Sequence, residues 1–173
     1  KSYVLCAGIA GGNRADWNEA FVVYSNESTD SSRAYEIMEA LACSRDKATL
    51  SMYLDLILNS TATAKSYGVN VLTEVAANPL GTEMAWDFYK SNLGFFLENF
   101  GENRYSYSTI IGKTTAGFAT REKLMEVERF FEDHPDAEAW KTPFDQAVVE
   151  IKSNIKWMDR HLERVTEWLQ NAD

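Results

Sequence analysis

Apolar residues recur at helical spacing along most of the chain, and no segment alternates convincingly as a half-buried strand does. Phe144, Val148, Ile151, Ile155, Met158, Leu162, Val165 and Leu169 give the clearest case, because their spacings alternate between four and three and place all eight on one stripe. Ahead of them, Thr142-Pro143 offers a threonine N-cap with proline at the first helical position. Asp145 follows three residues after that cap, near the positive end of the helix dipole. The expectation is one amphipathic helix of about 27 residues. A strict heptad also fits a coiled-coil partner, but next to other apolar helices it reads as a stripe packed within the domain.

Thr120 can cap a preceding helix with Leu124, Val127 and Phe130-Phe131 on its buried face, ending between Glu132 and Asp136, where Pro135 forbids continuation. The two helices form a hairpin. Leu50, Leu54, Ile57 and Leu58 keep helical spacing, as do Met38 with Leu41, and Trp86 with Tyr89 and Leu93. Thr, Ser, Gly and Asn clusters separate these segments. Asp16-Trp17-Asn18-Glu19-Ala20-Phe21 reads like Ala85-Trp86-Asp87-Phe88-Tyr89, about two helix-pair periods apart. Stacked helix pairs bury a continuous core that no single pair closes, and they curve into a concave wall. The expected fold is therefore all-α, a helical-repeat superhelix of the HEAT or armadillo type, a right-handed α-solenoid.

Length and composition agree. A chain of 173 residues matches one domain, 1–173, and is long enough to bury a core. It is 45% hydrophobic with nine Gly and three Pro, too apolar and too free of breakers to be disordered. A net charge of -9 and no basic run exclude nucleic acid as an expected partner. The longest apolar stretches, such as Phe95-Phe96-Leu97, fall far short of a membrane-spanning helix, so this piece is expected to be soluble. Lys1 to Gly12 lack the progression of a secretory signal and Lys1 is no initiator methionine, so the chain is expected to begin mid-protein or after processing.

Candidate chemistry is sparse. A hydrolytic zinc site needs converging deprotonatable ligands, commonly two histidines one helical turn apart, and this chain has only His134 and His161. Both read as surface residues, and no metal or catalytic site is expected. Gly8-Ile9-Ala10-Gly11-Gly12 follows no credible strand and reads as a helix C-cap and turn rather than a phosphate cradle. Acidic pairs such as Glu132-Asp133 read as solvated helix faces. Cys6 and Cys43 are either a disulfide or two buried thiols, and counting alone leaves this open. Two sequons, at Asn26 and Asn59, point to glycosylated surface loops.

More specific are Tyr3-Val4-Leu5-Cys6-Ala7-Gly8-Ile9-Ala10-Gly11-Gly12, then Trp17, Ala40-Leu41-Ala42-Cys43-Ser44-Arg45-Asp46 and Tyr53-Leu54. Further on come Trp86-Asp87-Phe88, Ser106-Tyr107-Ser108, Phe118-Ala119-Thr120, Val127-Glu128-Arg129-Phe130-Phe131, Asn154-Ile155-Lys156-Trp157 and Glu167-Trp168-Leu169. In register over essentially the whole chain, these resemble the C-terminal helical domain of M1-family zinc aminopeptidases of the aminopeptidase N type. The family's HExxH zinc motif, distal glutamate and GAMEN motif lie upstream of this region and are absent here.

The resemblance implies a non-catalytic module of an enzyme that removes neutral N-terminal residues from peptides. Its helices would pack over the catalytic domain of the same polypeptide and enclose the peptide chamber, with zinc held by that other domain. It further implies a Cys6–Cys43 disulfide and a place on the extracellular face of the plasma membrane, anchored through parts outside this chain. Tyr105-Ser106-Tyr107-Ser108-Thr109 resembles the chamber-lining segment, which makes Tyr105 and Thr109 the expected contacts for peptide substrates. Read without the family, Tyr105 and Tyr107 are half-buried helix-end aromatics. The chain departs from its relatives at these tyrosines, where phenylalanine is frequent, and at Gly117, where arginine is. Beyond peptides, the partner classes it leaves open are a second copy in a dimer and a toxin or pathogen using the surface as a receptor. The alternative is a stand-alone helical-repeat interaction scaffold.

Overall fold

The computed structural model describes residues 3–27, 31–59, 61–100, 104–134 and 140–171, and for 61–66 and 104 the backbone alone. Among them the fold is all-α, with ten helices and no strand. These are α1 (Tyr3–Gly11), α2 (Arg14–Asn26), α3 (Ser32–Leu41), α4 (Lys47–Asn59), α5 (Thr61–Ala76), α6 (Thr82–Ser91), α7 (Leu93–Phe100), α8 (Arg104–Thr115), α9 (Arg121–Glu132) and α10 (Lys141–Gln170). They fall into two compact units, 1–114 and 115–173.

In the first unit, consecutive helices pack in pairs, with α2 against α3, α4 against α5 and α5 against α6. Short polar side chains start several of them. Asn13 and Asp16 form a reciprocal capping box on α2. Ser31 accepts the Ala34 N–H at the start of α3, and Asp46 accepts the Ala48 and Thr49 N–H groups at the start of α4. The core holds Trp17, Met38, Leu41, Leu50, Tyr53 and Trp86, all nearly inaccessible to water. Polar bonds knit it. Trp17 Nε1 donates to the Leu41 carbonyl at 2.9 Å, and Tyr53 Oη donates to the Met38 carbonyl at 3.0 Å. The Asn78 carboxamide donates to the carbonyls of Ala42 and Ser44, both at 2.8 Å.

The second unit is a hairpin of α9 and α10. Thr120 caps α9 by accepting the Lys123 N–H, and Val127 and Phe130 are buried, as the sequence predicts. Phe131 packs on Phe144 in a tilted pair with centroids 4.3 Å apart and meets Trp140 edge-on. Pro135, the expected helix terminator, lies outside the described residues.

Several expectations are corrected. Helix α10 starts at Lys141 rather than after a Thr142 cap, so Pro143 is its third residue. Proline is tolerated there because the first-turn N–H groups have no intrahelical acceptor. The heptad stripe is core only in its first half. Ile151 and Ile155 are buried, but Leu162, Val165 and Leu169 are 49%, 39% and 61% exposed. The reason is length: α9 has 12 residues against 30 in α10, about 18 Å against 45 Å, so α9 covers less than half of its partner.

Leu93 does not continue the Trp86–Tyr89 helix, which stops where the Asn92 side chain takes the Phe88 carbonyl at 2.8 Å; Leu93 begins α7. Gly8 and Gly11 lie within α1, and only Gly12 follows it, without a positive φ. A Cβ on Gly12 would stand 2.9 Å from both the Gly8 carbonyl and Asp16 Oδ2, which fixes glycine there. Gly81 is held similarly by the Val75 carbonyl.

Two outcomes follow for stability. Asn78→Ala leaves two helix-end carbonyls without their donor and should lower unfolding free energy by about 2 to 3 kcal/mol, read as a lower urea midpoint at unchanged slope. The phenols of Tyr53 and Tyr89 are pushed up by burial, aided at Tyr53 by Tyr24 and Glu74 and at Tyr89 by Tyr107. The folded state therefore keeps these protons when the unfolded chain loses them, so their stabilisation is complete below pH ~10 and falls as pH rises above it. In a titration at 295 nm, both should ionise only together with the loss of helical circular dichroism.

Candidate functional site

The segment from Tyr105 to Thr109 forms the first turns of α8, and the helical turn sorts it into two faces. Ser106 and Tyr107 are buried, with Ile110, Ile111 and Thr114 continuing the inner face. Tyr105 points outward, 78% exposed, and Thr109 stands half-buried one turn further along the same side. The two tyrosines therefore differ: Tyr107 is core and Tyr105 is surface. Ser108 is exposed beside them, and a Cβ built on Gly112 would meet nothing within 4 Å. The outer face of α8 is thus an open ledge with an aromatic ring at one end, hydroxyls in its middle and Lys113 at the other end. Such a surface offers hydrogen bonds and ring contact to an extended chain, and holds no nucleophile–base pair.

Cys6 and Cys43 are joined, with Cα atoms 5.3 Å apart. Helix α1 is apolar along its length yet has no buried residue, and the bridge fastens it to the end of α3. A groove of about 490 Å³ opens among α1, α2 and α3, lined by Val4, Leu5, Ile9, Ala20 and Ile37 with Asp16 and Arg33 as its charges. A second cavity of about 500 Å³ borders the disulfide, Arg45, Glu74 and Asn78. Neither includes Tyr105 or Thr109.

Asn26 and Asn59 are exposed, each the last residue of its helix rather than a loop residue. Ser28 and Ser60 of their sequons lie outside the described residues. His134 donates from Nδ1 to the Phe130 carbonyl at 2.6 Å and is half-buried, whereas His161 is exposed on α10 against Trp157. Among the described residues the donor set does not fit zinc. These histidines occupy separate positions, and among the described residues no three His, Cys, Asp or Glu side chains cluster as metal ligands do. No helix among the described residues is long and apolar enough to cross a membrane.

Sequence reasoning missed two features. Arg14 donates to Thr49 Oγ1 at 3.1 Å and contacts the Met52 sulfur, tying α2 to the capped start of α4, and no local pattern announces such a contact. Lys113 continues the outer row of α8, a position that an i+4 step from Thr109 would have found.

The fold defines a class: an all-α helical-repeat module. Within that class, the chain belongs to the ERAP1-like C-terminal domain family, whose model matches residues 1–153. It is similar to aminopeptidase N of Canis lupus familiaris, 31% identical over 172 residues, which are 98% of this chain and 18% of that protein. Aminopeptidase N of Homo sapiens is 29% identical over 170 residues, covering 97% of this chain and 18% of its own length. Aminopeptidase A of Gloydius brevicauda is 28% identical over 162 residues, with 94% and 17% covered. The chain thus spans less than a fifth of the length of the curated relatives it matches.

The disulfide closes a loop of 37 positions and should stabilise the folded chain by about 3 to 4 kcal/mol, mainly by restricting the unfolded state. Reduction, or the double substitution C6S/C43S, should lower the urea midpoint accordingly, and an unchanged midpoint would contradict the assignment.

Proposed function

We propose that this chain is the C-terminal module of a zinc aminopeptidase that removes neutral N-terminal residues from peptides, and that it covers the chamber in which the peptide lies. Membership of the ERAP1-like C-terminal domain family, with similarity to aminopeptidases over almost the whole chain, supports the enzyme parent. The observation that carries the peptide role is the outer face of α8, where Tyr105 is exposed and Thr109 half-buried one turn further on, while Ser106, Tyr107 and Ile110 are buried on the other side.

In this reading, hydrolysis belongs to the domain that holds zinc, which supplies a metal-polarised carbonyl and an activated water. This module excludes bulk water and orients the peptide tail, the Tyr105 ring packing against a side chain and the Thr109 hydroxyl bonding the peptide backbone. An extracellular location of the parent, anchored through segments outside this chain, is supported by the disulfide and by the exposed sequon asparagines Asn26 and Asn59.

The parent is identified by an HExxH motif with its distal glutamate upstream of Lys1 in the same reading frame; an unrelated domain there would leave the interaction scaffold as the better account. In the whole enzyme, Y105A/T109A should reduce kcat/KM for tripeptides by about tenfold relative to single-residue amides, a differential loss of about 1.4 kcal/mol. An unaltered ratio would remove the chamber role.

A further inference from the structure

We infer that the Cys6–Cys43 bridge is a thiol-exchange site, entered by a small zwitterionic thiol through the cavity beside it, and that exchange there releases α1 from α3. This goes beyond the chamber reading and does not depend on it. Both cysteines are half-buried, and both line the cavity of about 500 Å³ together with Arg45, Glu74, Ala77, Asn78 and Leu80. Small-molecule sites run from about 300 to 1,000 Å³, so this volume takes a molecule the size of a tripeptide.

Charge selects the class of thiol. The chain carries a net charge of -9, so its surface repels anions in general, a free thiolate included. Arg45 is the exception at this cavity. It is exposed, makes no ion pair among the described residues, and carries a fork of donors that matches a carboxylate. The adjacent Asp46 carboxylate is engaged at the start of α4, where it accepts from the Ala48 and Thr49 N–H groups and the Thr49 hydroxyl. Glu74 of α5 adds a carboxylate that suits an ammonium, and Ala77 and Leu80 add apolar wall. A thiol that bears carboxylates and an ammonium meets both charges, whereas a neutral thiol meets neither.

The incoming thiolate attacks Cys43 Sγ. A new S–S bond forms there as the bond to Cys6 breaks, and Cys6 leaves as a thiolate that takes a proton from water. One disulfide replaces another, so the small thiol is the sole co-reactant. Cys43 is the sulfur attacked because Arg45 lies two residues along the chain from it and because Cys43 stays in place. Its N–H donates to the Ala40 carbonyl at 2.9 Å, and Asn78 holds the Ala42 and Ser44 carbonyls on either side. Cys6 stands on α1, which packs on α3 without burying a single residue. Gly11-Gly12 joins α1 to the capped start of α2 and supplies the hinge. With the bridge open, no buried side chain retains α1, and it departs while the core of the first unit stays packed.

The full-length protein is incubated with reduced glutathione or with 2-mercaptoethanol at equal thiolate concentration, alkylated at intervals and read by peptide mass spectrometry. Glutathione should appear on Cys43 and the alkyl label on Cys6, about tenfold faster than 2-mercaptoethanol reacts. Arg45→Glu should remove that advantage and leave the 2-mercaptoethanol rate as it was, while Arg45→Lys keeps most of it. In the modified protein the amides of residues 3–11 should exchange hydrogen faster, and those of residues 47–59 should not. Equal rates for the two thiols, or an R45E that slows both alike, would overturn the inference. Glutathione attached to Cys6 would do the same, as would a bridge opened by a protein dithiol and untouched by glutathione. Faster exchange in α4 to the same degree as in α1 would mark general unfolding and overturn the release of α1. Circular dichroism of the Arg45 variants verifies that each is folded.

Discussion

The buried C-terminal turn of α3 is the constraint on which the first unit depends. The last carbonyls of any helix have no intrahelical donor, and this end lies inside the protein, where water cannot serve. The Ala40 carbonyl takes the Cys43 N–H locally, and the carbonyls of Met38, Leu41, Ala42 and Ser44 are answered from other elements. Tyr53 of α4 donates to Met38, Trp17 of α2 donates to Leu41, and Asn78, after α5, donates to Ala42 and Ser44. Between Ala42 and Ser44, Cys43 carries the covalent link to α1. Residues 38–44 are thus the point at which four helices and the turn between α5 and α6 are registered, and the aromatic side chains that reach it bury their rings on the way.

The same solution recurs in the second unit. The Asn154 carboxamide donates at 3.0 Å to the carbonyls of Ala116 and Phe118, as Asn78 does to those of Ala42 and Ser44. In both cases one carboxamide holds two carbonyls of a turn between consecutive helices from a position roughly one helix pair downstream. This is the physical content of the faint repeat marked by Trp17 and Trp86, both buried. The repeat is conserved less in side-chain identity than in where a buried turn must find donors.

Amphipathic helices were legible from spacing, and so was the Thr120 cap, because a 3.6-residue period and an N-cap are local properties; the Thr142 cap expected on the same grounds is not formed. Thr120 with Val127 and Phe130 is the clear instance. What spacing could not reveal was coverage. The stripe on α10 is continuous from Phe144 to Leu169, yet only the part opposite α9 is buried, since periodicity states which face is apolar and not how long the neighbouring helix is. Nor could it show that Asn92 divides one apolar run into two helices, a consequence of a side chain competing for the Phe88 carbonyl.

The site was less legible, for a reason of the same kind. In Tyr105-Ser106-Tyr107-Ser108-Thr109 the two tyrosines are two positions apart, about 200° around a helix, so one must face in when the other faces out. Composition gives no way to choose between them, and the resemblance alone singled out Tyr105. Burial of Tyr107 decides it. Once Tyr105 is fixed as outward, the helix assigns Ser108, Thr109, Gly112 and Lys113 to its side, and the chemistry of the ledge follows: ring, hydroxyls, an open glycine and a cation.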